Sequence, residues 1–175
     1  RAPLLRDGLD VFTPALRPTP PESLDPNIKR HNYLNLVLAD LEVRDRSSHA
    51  WAVLLDTRGY LSEGIGSNIF LVKDGVVFTP DAQYVLAGIS RQVVIDLALA
   101  IGLEVRETDL RAMDATEADE AFITSTSFCI CPVRTYDGAT LGASQVPGPV
   151  TQRLSEAFAG EVGHDFVSQY LQALD

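Results

Sequence analysis

PNIKRHNYL, residues 26–34, joins a proline-rich connection to the first segment with a helical pattern. The connection covers residues 17–27, where prolines interrupt regular backbone hydrogen bonding. From residue 34 onward, apolar residues recur every three or four positions, as on one helix face. The stretch therefore places a single lysine, Lys29, where a loop meets a helix. Most lysines in such positions are solvated surface charges, so the rest of the chain must decide whether this one is a positioned amine.

Strand and helix patterns alternate irregularly along the chain. Short apolar runs that predict strands lie at residues 9–16, 50–56, 69–72, 76–79, 103–106, 120–126 and 131–135. Helical patterns begin near Asn32, at Ser90, which we predict as an N-cap, and at Pro149. The predicted apolar face of the first helix consists of Leu34, Leu38 and Leu41. The sequence thus predicts one α+β domain with a largely antiparallel sheet.

The composition narrows the class of protein. The net charge of -10, with no evident basic face, argues against nucleic acid as a partner. No apolar run approaches the ~18 residues of a membrane span, and no signal peptide is recognisable. Cys129 and Cys131 predict reduced thiols in a cytoplasmic protein. Because the chain begins at Arg1 instead of methionine, we expect that an upstream segment has been removed, cleaved or left out.

Four groups of residues could carry chemistry, and each has an ordinary explanation. Lys29 is the first, and Glu63, followed closely by two glycines, is the second, although a surface glutamate before a turn is commoner. Gly88-Ile89-Ser90 offers free N–H groups and a hydroxyl to a phosphate, but also fits a plain serine cap. Residues 124–127 place four hydroxyls in a row, which a satisfied polar turn also explains.

Together these groups meet the requirements of pyridoxal 5'-phosphate. That cofactor needs an amine for a Schiff base, a carboxylate that keeps its pyridine nitrogen protonated, and a helix end with hydroxyls for its phosphate. The sequence contains no P-loop, no complete dinucleotide-binding glycine motif and no nucleophile elbow. His31, His49 and His164 lack the spacing of metal ligands, so we predict no metal site.

Four motifs in order resemble the C-terminal half of class IV (fold type IV) pyridoxal-phosphate enzymes. They are IKRHNYLN (28–35), YLSEGIGSNIF (60–70), LAGISR (86–91) and FITSTSFCICPV (122–133). The family includes branched-chain aminotransferases, D-amino acid aminotransferases and 4-amino-4-deoxychorismate lyases, and the resemblance runs from about residue 28 to 158. It implies that residues 1–175 form the C-terminal domain of that fold, a mainly antiparallel sheet or pseudo-barrel with flanking helices.

The resemblance also implies roles around the cofactor ring. Lys29 would form the Schiff base and, once released, move the proton between the substrate Cα and the cofactor. Tyr33 would hydrogen-bond the phenolic oxygen, and Glu63 would pair with the pyridine nitrogen. Leu86 would pack on one face of the ring.

The phosphate and the substrate would contact a second set of residues. By the same resemblance, Ile89 and Ser90 bind the phosphate through backbone N–H groups and a hydroxyl, and Thr126 adds a further contact. Ser127 would lie near the substrate carboxylate. The family's small residue and glutamate that follow are replaced here by Phe128 and Cys129, on the substrate side.

The function implied is an aminotransferase that moves an amino group between an amino acid and a 2-oxo acid in a ping-pong cycle. The Asn-Tyr-Leu sequence after Lys29 favours the aminotransferase over the lyase, and the Lys-x-x-Asn-Tyr-Leu form resembles that of branched-chain aminotransferases. A 4-amino-4-deoxychorismate lyase would use the same cofactor residues, and an inactive, truncated cofactor-binding fragment is a third alternative. The family's N-terminal domain is absent from these 175 residues, so the resemblance implies a missing domain or a second chain, and a homodimer.

Overall fold

Nine strands and six α-helices make up the described part of the chain, residues 2–142 and 145–172 of a computed structural model. In chain order they are α1 (Ala2–Asp7), β1 (Leu9–Phe12), α2 (Leu34–Arg44), β2 (Ala50–Leu55), β3 (Leu61–Gly64), β4 (Ser67–Lys73), β5 (Val76–Thr79), α3 (Ile89–Ala100), β6 (Val105–Glu107), α4 (Ala112–Thr116), β7 (Glu120–Ser125), β8 (Cys129–Tyr136), β9 (Ala139–Thr140), α5 (Pro149–Val162) and α6 (Phe166–Gln172). Within these described ranges, no helix has the length and apolar character needed to span a membrane.

Six strands close into a ring at the centre of the molecule. The ring runs β3-β2-β1-β8-β7-β4, and β4 pairs with β3 to complete it. β5 and β6 extend outward from β4, and β9 pairs with β8. In the described residues three strand pairings are parallel and six are antiparallel. The prediction of an α+β fold with a largely antiparallel sheet is therefore confirmed.

The strand β4 is buried on both of its faces. Ile69 and Leu71 belong to the largest core cluster, which they share with residues of β1, β2 and β7. The alternate residue Phe70 stacks on Phe122 with ring centroids 4.9 Å apart, in a second cluster beneath α3 and α5. Successive strand residues point to opposite faces, so an unbroken apolar run is what such a strand requires. β4 consequently gives the residues at its start a rigid support.

The first helix buries a different face from the one predicted. α2 packs on β2 through Leu36, Ala39 and Val43, which are all buried. The predicted face is exposed instead: Leu34 is 67% accessible, Leu38 45% and Leu41 50%. Two apolar stripes share this short helix, and periodicity alone does not tell which one faces the chain's own core. The prediction of the helix is confirmed, and that of its buried face is wrong.

The first strand is shorter than predicted. The apolar pattern predicts a strand over residues 9–16, but β1 ends at Phe12. Beyond it the Thr13 N–H donates to Asp137 Oδ1 at 2.7 Å, and Pro14 has no N–H to offer a neighbouring strand. The chain therefore leaves the sheet and enters the proline-rich connection earlier than its hydrophobicity suggests.

A tight turn joins β4 and β5 where the sequence Asp74-Gly75 predicts a hairpin. Asp74 has φ 49° and Gly75 has φ 76°, and the strands on both sides pair in antiparallel register. Two successive positive φ values belong to the hairpin turn whose twist matches that of the flanking strands. This prediction is confirmed.

Candidate active site

One cleft collects most of the residues that the sequence singles out. It has a volume of about 260 Å³ and lies where the β3–β4 hairpin, the end of β7 and the N-terminus of α3 meet. The predicted residues that line it are Lys29, Tyr33, Glu63, Leu86, Ile89, Ser90 and Thr126. Residues distant in sequence therefore converge on one concave surface, although no single motif predicts that they would meet.

A larger cavity lies elsewhere and lacks the chemistry. It measures about 600 Å³, and residues of α1, α5 and α6 line it. Its polar groups include Arg6, Glu156 and Asp165, but no lysine is among its lining residues. A site that must form a Schiff base needs a primary amine. Size alone would select this cavity, whereas chemistry selects the smaller cleft.

Lys29 is one of only two lysines in the sequence. It is exposed at the edge of the cleft. The other, Lys73, donates to the Glu117 carbonyl at 2.8 Å and forms an ion pair with Asp119 at 3.0 Å on the β4–β5 hairpin. Lys29 is thus the lysine side chain available to the cleft.

Side chains next to Lys29 anchor its loop. Asn27 Oδ1 accepts from the Ala87 N–H at 3.2 Å, which ties the loop to the turn before α3. On the other side, Arg30 donates to the carbonyls of Leu24 and Asp25 at 3.3 and 3.4 Å. The lysine is therefore held between two short anchors, although its own side chain remains free to reach into the cleft.

Glu63 lies on β3 beside the cleft. Burial raises the pKa of its carboxyl group to about 7, against the opposing effects of a hydrogen bond from the Leu86 N–H and the positive charge of Arg30. The Leu86 N–H donates to Glu63 Oε2 at 3.0 Å. A desolvated carboxylate of this kind gains most from a cation placed next to it. The geometry and the raised pKa both suit a partner such as a protonated pyridine nitrogen.

The N-terminus of α3 forms another wall of the cleft. The prediction that Ser90 is the N-cap of α3 is wrong. The N-cap is Gly88, and no side chain caps the helix. Ser90 is the second helical residue, so its hydroxyl is free of the capping role and lines the cleft. The uncapped N–H groups and the positive end of the helix dipole suit an anion. Because no side chain occupies the first N–H groups of α3, more hydrogen-bond donors remain for a phosphate than a serine cap would leave.

The end of β7 adds hydroxyl groups. Thr126 is exposed and lines the cleft. Thr124, only 1% exposed, also lines it, and its Oγ1 is buried without a hydrogen-bond partner among the described residues. A buried hydroxyl without a partner costs roughly 1–3 kcal/mol, which a ligand can recover by bonding to it. Thr124 is a candidate that the sequence shows only as one of four hydroxyls in a row.

Ser127, Phe128 and Cys129 lie outside the residues that line the cleft. The Ser127 carbonyl accepts from the Tyr170 hydroxyl at 3.1 Å. Phe128 is buried and packs edge-on against Trp51 with centroids 5.4 Å apart. Cys129 has φ 56°, an unusual conformation for a residue other than glycine. The replacement of the family's small residue by Phe128 therefore fills the core beside Trp51, while the role of Ser127 remains a prediction.

Asn68 is a site residue that the sequence analysis did not single out. It lines the cleft, is 7% exposed, and donates from Nδ2 to the Leu86 carbonyl at 2.9 Å. It pairs with Glu63 across β3 and β4. The available signal was the short spacing between the two residues around Gly66, which predicts a hairpin that brings them opposite each other.

Comparisons with known proteins show which family this chain resembles. The family model for amino-transferase class IV matches residues 2–136. The branched-chain amino acid aminotransferase of Escherichia coli is 40% identical over 161 residues, which cover 91% of this chain and 52% of the relative. The chain thus spans about half the length of the curated relatives it matches.

Solved structures show the same similarity. The crystal structure of the Escherichia coli enzyme superposes with a TM-score of 0.86 at 39% identity, over 91% of this chain and 53% of that one. The branched-chain aminotransferase of Thermobaculum terrenum in its PLP form gives 0.81 at 32% identity, over 94% and 53%. The matched family model, the sequence identity and the shared fold together establish that this chain belongs to the class IV aminotransferases.

Proposed function

We propose that this chain carries the cofactor-binding half of a pyridoxal-phosphate-dependent aminotransferase. The reaction moves an amino group from an amino acid to a 2-oxo acid in two successive half-reactions, with branched-chain amino acids as the favoured donors. One observation carries the proposal: an amine, a half-buried carboxylate with a raised pKa, and an uncapped helix N-terminus line the same cleft. Membership of the class IV aminotransferases supports it.

The residues present fit pyridoxal 5'-phosphate. Glu63 is a desolvated carboxylate, Thr124 has an unpaired buried hydroxyl, and Gly88 leaves the start of α3 uncapped. These groups match in turn a protonated ring nitrogen, a hydrogen-bonding ligand and a phosphate. When bound, the cofactor supplies an electron sink for negative charge at the substrate Cα. A relative whose structure is described as the PLP form supports the same cofactor here.

Lys29 and Glu63 have the central roles in this proposal. Lys29 holds the cofactor through its amine and, when substrate displaces it, moves the proton at the substrate Cα. Glu63 keeps the proton on the ring nitrogen. Burial disfavours the charged form of its carboxyl group, and the positive charge of the protonated nitrogen stabilises that form. Tyr33 lines the cleft and supplies a hydroxyl for the phenolic oxygen, and Leu86 covers one ring face.

The phosphate end of the site uses backbone and hydroxyl donors. We propose that the N–H groups of Ile89 and Ser90 bind the phosphate at the N-terminus of α3, with the hydroxyls of Ser90 and Thr126 as further partners. Thr124 adds its unpaired hydroxyl to this group. Ser127 remains the proposed contact for the substrate carboxylate.

The proposal extends to substrates, partners and location. Relatives named branched-chain amino acid aminotransferases support a branched-chain amino acid and a 2-oxo acid as substrates. Because the chain spans about half of such relatives, we propose that it acts as a C-terminal domain with an N-terminal domain or a second chain, in a homodimer. The free thiols of Cys129 and Cys131 support a cytoplasmic location.

Borohydride reduction tests the cofactor assignment. The full-length protein is incubated with pyridoxal 5'-phosphate, reduced, digested and mapped by mass spectrometry. We expect the adduct on Lys29 and no adduct within these 175 residues in Lys29→Ala, with Lys73→Ala as the matched control that keeps the adduct, because Lys73 is the other lysine of these residues and lies outside the cleft. A reducible adduct that persists in Lys29→Ala contradicts the proposal.

A half-reaction assay separates the candidate activities. With L-leucine we expect loss of the cofactor absorbance of the aldehyde form and release of the corresponding 2-oxo acid. D-alanine reports on handedness, and release of pyruvate from 4-amino-4-deoxychorismate would identify a lyase. A protein that binds the cofactor but reacts with no amino donor contradicts the aminotransferase proposal and leaves the cofactor assignment intact.

A further inference from the structure

Leu86 is held at both of its backbone polar groups by two side chains of one hairpin. Its N–H donates to Glu63 Oε2 at 3.0 Å, and its carbonyl accepts from Asn68 Nδ2 at 2.9 Å. Glu63 and Asn68 are register partners across β3 and β4. One pair of opposing residues in the sheet therefore fixes the turn that precedes α3.

Asn68 also lies in close contact with Gly88, at the end of the turn that precedes α3. A Cβ added to Gly88 would lie 2.6 Å from Asn68 Oδ1, which is closer than real Cβ contacts allow. The Asn68 amide thus reaches both ends of the turn, with Nδ2 on the Leu86 carbonyl and Oδ1 against Gly88, the N-cap of α3. Since Asn68 is 7% exposed and sits on a strand buried on both faces, it cannot easily follow a displaced turn.

We propose that Asn68 is a positioning residue that sets the spacing between Glu63 and the N-terminus of α3. The inference rests on the proposed function, because pyridoxal 5'-phosphate carries its ring nitrogen and its phosphate at separate points of a rigid ring. A rigid ligand that contacts both Glu63 and α3 requires a fixed spacing between them. Asparagine suits this task since one planar amide carries both a donor and an acceptor.

A purely structural role makes a different prediction. If Asn68 only satisfied a buried carbonyl, its loss would lower stability and weaken all ligands of the cleft alike. If it sets the spacing, its loss should harm a ligand that uses both ends of the site more than a ligand that uses one. Pyridoxal, which lacks the phosphate, is such a one-ended ligand.

The experiment compares dissociation constants for pyridoxal 5'-phosphate and pyridoxal in the full-length protein. We expect Asn68→Ala to weaken pyridoxal 5'-phosphate about tenfold or more and pyridoxal much less, so that the ratio of the two constants narrows. Asn35→Ala is the matched control, because Asn35 Nδ2 also donates to a carbonyl, that of Arg17, at 2.9 Å and does not line the cleft. It should leave the ratio unchanged.

Gly88→Ala perturbs the same contact from the opposite side and serves if Asn68→Ala does not fold. Its φ of −66° suits alanine, so the expected effect comes from the clash with Asn68 and not from backbone strain. We expect it to narrow the ratio as well. If the ratio of the two dissociation constants is unchanged in folded Asn68→Ala and Gly88→Ala, this inference is overturned and the proposed function still stands. A wild-type protein that binds no pyridoxal 5'-phosphate overturns both.

Discussion

The floor and the rim of the candidate cleft are built in different ways. We define the floor as Glu63, Asn68, Leu86 and Gly88, and the rim as Lys29, Tyr33 and Ile89. The floor residues are linked to one another by hydrogen bonds of 2.9 and 3.0 Å and by a close approach at Gly88. Among the rim residues, Lys29 is exposed and Ile89 is 85% accessible.

This difference separates two tasks of the site. A floor supported by paired strands can hold a rigid ligand at fixed points without help from elsewhere, since its geometry is set by the sheet. The rim is not built on paired strands: Lys29 lies on a loop, and the side chain of Ile89 is 85% accessible, so this part of the cleft suits contact with substrate or with another part of the protein. We therefore expect changes in the floor to alter the fixed spacing that cofactor binding needs, and changes in α2, which follows the Lys29 loop, to alter local packing.

The largest effect on stability that we expect in the floor comes from the protonation of Glu63. Burial raises the pKa of its carboxyl group from 4.5 to about 7. Because the pKa is higher in the folded protein, the protonated form adds stability that is complete below pH 4.5 and disappears as the pH rises through 7. Over that window the free energy of unfolding of the cofactor-free protein should fall by roughly 3 kcal/mol from this group alone.

Urea unfolding at pH 5 and pH 8 measures this effect. Glu63→Gln keeps a neutral side chain that can still accept from the Leu86 N–H, so the variant should lose the pH dependence. Asp10 does not interfere: burial raises its pKa, but hydrogen bonds from Arg134, Ser47 and Thr135 outweigh that effect and lower the pKa to about 2, outside the window. Equal pH dependence in the two proteins would show that Glu63 is not the titrating group.

The same contrast explains what the sequence could predict. The floor residue Glu63 and the start of α3 were identified because their motifs are local: a glutamate before glycines, and a glycine followed by a helical pattern. Strand positions and the Asp74-Gly75 hairpin were likewise predicted from short-range patterns. Local chemistry is visible in the sequence when the residues concerned lie within a few positions of each other.

Features that depend on distant partners were not predictable. Two hydrogen bonds hold the backbone of Leu86: Asn68, which lies 18 residues away, donates to its carbonyl, and Glu63, which lies 23 residues away, accepts from its N–H. The parallel pairing of β1 with β2 depends on a crossover through α2, which the irregular alternation of elements conceals, and β8, which pairs with β1 on its other side, lies more than a hundred residues further along the chain. The cap at Gly88 was missed because a serine two residues later has the higher general preference for that position.

The helix α2, which follows the Lys29 loop, has one buried and one exposed face, and two of its leucines allow the two faces to be compared. Leu36 and Leu38 lie two residues apart on α2, but Leu36 is 8% exposed and packs toward β2, whereas Leu38 is 45% exposed. We expect Leu36→Ala to lower the free energy of unfolding by about 2 kcal/mol or more, because it leaves a cavity. The matched change Leu38→Ala should cost less than about 0.5 kcal/mol.

Chemical denaturation of both variants gives the comparison directly. A cost for Leu38→Ala as large as that for Leu36→Ala contradicts the expectation for a face open to solvent. In the full-length protein, that result would mean that a part of the protein outside this chain covers the exposed leucines of α2. The same pair of variants measured in the 175-residue chain would then separate, since that chain leaves Leu38 exposed.

The smallest effect that we expect concerns the hydroxyl of Thr124. Its Oγ1 is buried without a partner in the described part of the chain, so Thr124→Val should leave the stability of the cofactor-free protein unchanged or raise it by up to about 1 kcal/mol. The same change should weaken pyridoxal 5'-phosphate about tenfold if the ligand satisfies that hydroxyl. Thermal melts without cofactor and binding titrations test the two effects separately. Unchanged cofactor affinity would remove Thr124 from the proposed cofactor contacts, whereas a loss of stability without cofactor would show that its hydroxyl already has a partner in the folded chain.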